Sequence, residues 1–178
     1  MKLRIVAGEF GGRFIQAPPG RGTRPTAARV REAWFSALGD RVLDARVLDL
    51  FAGSGALGIE ALSRGARCVH FVETRRGALS VLRDNLAHLE IGDRARVVAR
   101  EAFAYLTECA ARAVEFDLAF ADPPYGSDAA RRLARRFVRE PFAGWLCLEH
   151  GPGALDVTEA VRWERAYGDT RLSFLERG

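Results

Sequence analysis

Val47-Leu48-Asp49-Leu50-Phe51-Ala52-Gly53-Ser54-Gly55-Ala56-Leu57-Gly58 is the stretch that decides the fold of this chain. Val47 to Leu50 reads as a buried strand, the glycine-rich segment as a turn, and Ala56 to Ser63 as the helix that follows. That is the first half of a βα unit, and the alternation continues downstream. Cys68 to Val72 is a strand, and Leu79, Leu82, Leu86 and Leu89 mark a helix by their 3-4-3 spacing. Arg96 to Ala99 is a short strand before a helix ending near Arg112. Phe116 to Ala121 is an apolar strand, Asp128 to Arg139 a helix and Trp145 to Glu149 a strand. Val161 to Tyr167 and Arg171 to Leu175, around Gly168-Asp169, form a closing hairpin. Repeated βα units predict an α/β Rossmann-like fold, a mostly parallel seven-stranded sheet with helices on both faces and an antiparallel hairpin at its end.

Upstream, residues 3–7 and 13–16 read as two short strands joined by Gly8-Glu9-Phe10-Gly11-Gly12, a β-hairpin arm. A polar loop with Pro18, Pro19, Gly20 and Gly22 follows. Thr26 is placed to cap a helix to about Leu38, with Val30, Trp34 and Ala37/Leu38 on one face. The expected division is a basic arm over residues 1–25 and one catalytic domain over 26–178.

Composition narrows the class. At 178 residues and 48% hydrophobic content the chain can build one ordinary core. No apolar stretch approaches a membrane span, and the N-terminus lacks the apolar segment of a signal peptide, so a cytoplasmic protein is expected. Cys68, Cys109 and Cys147 lie far apart, and the three histidines are equally scattered. Neither a disulfide framework nor a metal site is expected. The net charge of +4 is unevenly spread. Residues 1–31 carry Lys2 and six arginines (Arg4, Arg13, Arg21, Arg24, Arg29 and Arg31) against Glu9 alone, while the remainder holds 20 basic and 22 acidic groups. The cationic character therefore sits in the arm, as a phosphate-contacting surface requires; a plain solvated face is the alternative. The same choice applies to Arg131, Arg132, Arg135, Arg136 and Arg139 on one later helix.

Ligands of such sheets bind beyond the carboxyl ends of the strands, where Asp49, Glu73, Glu101 and Asp122 all fall. Gly53, Gly55 and Gly58 satisfy G-x-G-x-x-G, and Glu73 lies 20 positions after Gly53, so a dinucleotide-binding dehydrogenase is a genuine rival. Against it, Asp49 opens the loop, and a carboxylate there suits an ammonium better than a pyrophosphate. No hydride-transfer constellation with a polarising His or Lys accompanies it. S-adenosylmethionine (SAM) fits this loop better.

The tetrad Asp122-Pro123-Pro124-Tyr125 ends the strand Phe116 to Ala121. A carboxylate there accepts hydrogen bonds from an exocyclic amino group, and prolines set their carbonyls in fixed directions. A tyrosine offers a face for a stacked base. A Pro-rich turn with a half-buried tyrosine is the plain alternative.

With these residues in view the chain resembles the class I SAM-dependent methyltransferases that modify exocyclic amino groups of nucleobases. More narrowly it resembles the RsmD family, which methylates N2 of a guanine in 16S ribosomal RNA, the guanine(966) type. The resemblance spans nearly the whole chain. It rests on Arg4-Ile5-Val6-Ala7-Gly8, on Thr23-Arg24-Pro25-Thr26 with Arg29-Val30-Arg31-Glu32-Ala33, on Val47 to Ala66, on the Asp122 tetrad and on Tyr167-Gly168-Asp169-Thr170.

The resemblance implies a class I methyltransferase fold and a set of roles. SAM would lie on the loop of Asp49, Phe51, Ala52, Gly53, Ser54 and Gly55, with Asp49 near its methionine ammonium and Glu73 on the ribose hydroxyls. Glu101 and Ala102 would flank the adenine. Asp122 and the Pro123 carbonyl, with Pro124, would hold the target amino group, and Tyr125 would stack on the base. Arg24 and Thr26 would close over the cofactor. Arg4, Arg13, Arg21, Arg24, Arg29 and Arg31 would contact RNA. The implied partner is 16S ribosomal RNA within the assembled small subunit. A monomer is the default expectation, and composition predicts neither metal nor membrane. An amino methyltransferase for DNA adenine or a protein glutamine, and a non-catalytic RNA-binding assembly protein, remain as alternatives.

Overall fold

The computed structural model describes residues 1–18, 25–124 and 126–178, and for residues 25–28 the backbone alone. Seven strands form one sheet: β3 (Arg46–Leu50), β4 (Cys68–Val72), β5 (Ala95–Val98), β6 (Phe116–Ala121), β7 (Ala143–His150), β8 (Val161–Tyr167) and β9 (Thr170–Glu176). Their order is β5-β4-β3-β6-β7-β9-β8. The first five are parallel, and β9 pairs antiparallel with both β7 and β8. The helices α2 (Ala56–Ser63), α3 (Arg76–His88), α4 (Ala102–Ala111) and α5 (Ala129–Arg139) supply the crossovers. This is the expected mostly parallel seven-stranded α/β sheet with an antiparallel closing hairpin. The limits of β4, β6 and β8 match the sequence reading, and those of the other sheet strands differ by one or two residues.

Two apolar layers sandwich the sheet. One gathers Ile59 and Leu62 of α2, Leu82 of α3 and the aromatic side of α1 (Pro25–Leu38); the other gathers Leu106 of α4 with Leu133 and Phe137 of α5. Trp34 and Phe35 of α1 meet Phe120 of β6 edge-on, at 5.9 and 5.8 Å between ring centres. α1 begins at Pro25, whose missing N–H is harmless in a first turn. Thr26 therefore lies inside the helix, not at its cap.

The arm differs more. Its strands are only β1 (Lys2–Arg4) and β2 (Phe14–Gln16), because the next backbone groups bond elsewhere. The N–H groups of Val6 and Ala7 donate to the buried Glu60 carboxylate of α2 at 2.9 and 3.1 Å. Glu9 N–H reaches Ser63 O and Phe10 N–H reaches Ser63 Oγ. Ile5, Phe10 and Ile15 enter the same apolar layer as α1 and α2. The arm is thus docked on the helix that starts at the glycine loop.

Strand order reverses between β3 and β6, since α2 and α3 lead one way and the crossover through α4 returns. In such sheets that reversal opens a crevice at the strand carboxyl ends. Leu50 pairs with Ala121, so the glycine loop and Asp122 leave the sheet side by side.

Candidate active site

The loop after β3 is tied down from three sides. Ala52 N–H donates to Val72 O of β4 at 2.9 Å, Gly53 N–H to Glu73 Oε2 at 3.0 Å, and the Asn85 side-chain amide to Ser54 O at 3.0 Å. Phe51 carries a φ of 60°, a left-handed conformation that a bulky residue holds only when its surroundings enforce it. Gly58 has a packing role: a Cβ there would stand 2.3 Å from the Phe71 ring and 2.8 Å from Val69. Only glycine lets α2 lie this close to β4. Asp49 Oδ2 accepts the Gly58 N–H at 3.0 Å, which joins the strand to the helix it feeds.

Three carboxylates converge here. Asp49 is 2% exposed, and burial, with Asp122 and Glu73 nearby, pushes its pKa up to about 7 despite the Gly58 hydrogen bond. Glu73 behaves oppositely. Burial opposes its charge, yet bonds from the Arg75 guanidinium and from the N–H groups of Arg75 and Thr74 hold it below the usual range. A buried Asp49 facing two further carboxylates makes a site that favours a cation.

Phe51, Val72, Glu73, Thr74, Arg100, Glu101 and Ala102 line a small cleft beside this cluster. It brings together four sequence-predicted cofactor residues from three strand ends. Glu101 is exposed and already occupied as the N-cap of α4, accepting the Ala104 N–H at 2.9 Å. Its neighbour Ala102 is buried. A broader depression on edge strand β8, beside Trp163, contains none of these residues.

Asp122 is half-buried and Pro123 buried, while Pro124 is exposed. Ser127 donates both its hydroxyl and its N–H to Pro124 O, at 2.7 and 3.3 Å, so that carbonyl closes a turn. Of the two prolines, Pro123 is the better candidate to face a ligand. Tyr125, Arg21, Arg24 and the Thr26 side chain lie outside the described residues.

The cations of residues 1–31 separate into two groups. Arg4, Arg13 and Arg29 are exposed. Arg31 is buried; its Nη2 donates to Arg4 O at 2.6 Å and its Nε stands 3.8 Å from Glu60. Desolvation lowers its pKa. Charge counting assigned it to RNA, but its guanidinium is directed inward, where it holds the arm. On α5, Arg135 and Arg131 face Asp156, Arg132 faces Asp128 and Arg136 faces Glu140, a largely internally compensated surface.

Sequence reasoning missed Asn85. Its side chain accepts the Gln16 N–H at 2.8 Å and donates to both Gln16 O and Ser54 O, bridging arm and glycine loop. The available signal was a lone amide three residues after Leu82, inside the apolar stripe of α3.

The family described as conserved hypothetical protein 95 matches residues 3–174. The ribosomal RNA small subunit methyltransferase D of Escherichia coli K12 is 43% identical over 124 residues. That stretch is 70% of this chain and 61% of the relative, less than two thirds of its length. The protein of the same name from Haemophilus influenzae is 36% identical over 132 residues, 74% of this chain and 68% of its own. Among solved structures, a hypothetical protein of Thermus thermophilus superposes with a TM-score of 0.84 at 32% identity, covering 98% of this chain and 99% of that one. The T. thermophilus 16S rRNA N2 G1207 methyltransferase RsmC, solved with AdoMet and guanosine, shares the fold at a TM-score of 0.72 and 23% identity, covering 100% of this chain and 50% of its own. The family match takes in the docked arm, the glycine loop and the Asp122 strand end alike, and on that breadth the chain belongs to the conserved hypothetical protein 95 family, the RsmD family.

Proposed function

We propose that this protein is a SAM-dependent methyltransferase acting on the exocyclic N2 amino group of a guanine in small-subunit ribosomal RNA, the guanine(966) type. The observation that carries the reading is the convergence of Asp49, Glu73 and Asp122 beside one glycine loop, with Asp49 raised to about 7 by burial and by the two neighbouring carboxylates. The relatives' names support methyl transfer to small-subunit ribosomal RNA, the coarser part of this reading.

The residues fit the cofactor. Asp49 and the loop from Phe51 to Gly55 hold its cationic methionine end, Glu73 its ribose, and Glu101 and Ala102 border its adenine; Arg24 and Thr26 close over it. Bound there, SAM supplies an electrophilic methyl group. A guanine N2 lone pair is delocalised into the ring and is a poor nucleophile. Asp122 and the Pro123 carbonyl accept its two N–H bonds, localise that lone pair and aim it for in-line attack, with the base flipped out and stacked on Tyr125. Positioning and charge stabilisation supply the acceleration. Asp122 or solvent takes the proton released from nitrogen.

In this reading residues 1–25 are the RNA-contact arm and 26–178 the methyltransferase domain. Arg4, Arg13, Arg21, Arg24 and Arg29 meet phosphates. The protein works as a cytoplasmic monomer on the assembled small subunit. The test is tritiated SAM with small subunits from a strain lacking the enzyme, followed by nucleoside chromatography. Label in N2-methylguanosine is the expected result. Label in another nucleoside, or none, rejects the assignment.

A further inference from the structure

The arm's two strands have distinct faces. Leu3 and Ile15 point into the apolar layer, while Lys2, Arg4, Phe14 and Gln16 point outward, with Lys2 opposite Gln16 and Arg4 opposite Phe14. Phe14 is 51% exposed, the largest of the exposed hydrophobic side chains among the described residues. Lys2 and Arg4 have no acidic partner among the described residues, and the arm's own acid, Glu9, is paired with Arg94 at 2.8 Å. The face therefore presents one flat apolar ring, two uncompensated cations and an amide, with no carboxylate.

This face is also rigid. Ala17 N–H donates to Met1 O and Gly12 N–H to Ile5 O, which close the hairpin. Asn85 grips both backbone groups of Gln16 while holding Ser54 of the glycine loop. The outer face is thereby fixed in register with the cofactor loop.

We propose that the outer face of the hairpin is a stacking platform for an unpaired RNA base flanking the target guanine, with Phe14 against the base and Lys2 and Arg4 on the adjoining phosphates. The proposal rests on the reading of the substrate as RNA. Uncompensated cations select a polyanion, and an exposed ring beside Arg4 adds what a duplex cannot use, since its bases are already stacked. Gln16 is within the same face to bond a base edge. An aliphatic protein partner would satisfy the ring but leave two cations facing it.

The test is fluorescence anisotropy with a roughly 12-nucleotide single-stranded RNA and the same sequence as a duplex, on wild type and the variants Phe14→Ala, Phe14→Leu and Phe14→Tyr. Phe14→Ala and Phe14→Leu should each weaken single-strand binding by roughly 5- to 100-fold and leave duplex binding and SAM affinity unchanged, while Phe14→Tyr stays near wild type. Wild-type affinity in Phe14→Leu overturns the proposal, because a merely apolar contact survives that change. Equal losses on strand and duplex, or no wild-type binding to the single strand, overturn it as well. Tritium transfer to small subunits separates the two readings. If wild type labels subunits and Phe14→Ala binds and labels equally well, the platform falls and the enzyme stands. If Phe14 governs single-strand binding but no subunit is labelled, the enzyme assignment falls instead.

Discussion

Glu73 accepts the Gly53 N–H at 3.0 Å, so the carboxylate proposed for the ribose also sets the position of the loop beneath it. Its other oxygen accepts from Thr74 and Arg75 N–H groups. Glu73→Ala removes the acceptor for three backbone donors, each costing about 1–3 kcal/mol where it stays buried. SAM affinity by calorimetry should fall at least about tenfold, with a lowered Tm. Unchanged affinity would remove Glu73 from the cofactor site.

Asp49, in its proposed place at the cofactor's ammonium, should make cofactor binding pH-dependent. In the free protein it ionises only near pH 7, against an ordinary value of 3.8. A bound ammonium favours the ionised form, so binding expels a proton. Affinity should rise with pH, approaching tenfold per unit below about 7 and levelling above it. Titrations in two buffers of different ionisation enthalpy measure that proton directly, and equal heats in both would refute the coupling.

The same carboxylate acts on stability in the opposite sense. Its folded pKa lies above the unfolded value, so below about pH 4 it contributes nothing unfavourable, and its penalty grows as pH rises toward 7. Asp49→Asn keeps an acceptor for Gly58 N–H and removes the charge. The free variant should show a higher Tm than wild type at pH 8, little difference at pH 4, and no SAM binding. A variant less stable at pH 8 would show that Asp49 is not strained by its charge.

In the proposed mechanism Asp122 serves the chemistry and not cofactor binding. Asp122→Ala should lower kcat on small subunits by about 10²- to 10³-fold, the scale of losing one positioned electrostatic group. SAM affinity should survive. Near-normal turnover, or loss of SAM binding with turnover, would mean that the tetrad acts otherwise.

Glu60 anchors the arm. It collects the Val6 and Ala7 N–H groups and the Arg64 guanidinium at 2.8 Å, with Arg31 close by. Glu60→Ala leaves a buried cation uncompensated and should destabilise the protein by about 3 kcal/mol in denaturant titration. Gly8→Ala disturbs the same contact from the other side, since a Cβ there would stand 1.7 Å from Ser63 O. Hydrogen exchange should speed up first at residues 6–10 in Gly8→Ala, while β3 and β6 stay protected.

Much of this protein was legible in its sequence because the signals are local. A buried strand such as Phe116–Ala121 declares itself as an apolar run, a glycine turn by residues that tolerate close approach, and an α3 stripe by leucines at 3-4-3 spacing. Those same rules placed Asp49, Glu73, Glu101 and Asp122 at strand ends. What required the tertiary structure was which groups share a neighbour far along the chain. Arg31 looks like any arm cation until Arg4 O and Glu60 enclose it, and Asn85 looks like a helix polar residue until Gln16 and Ser54 meet it from 69 and 31 positions away. The raised pKa of Asp49 is likewise a product of burial beside two other carboxylates, because desolvation and charge repulsion depend on distance in space and not along the chain.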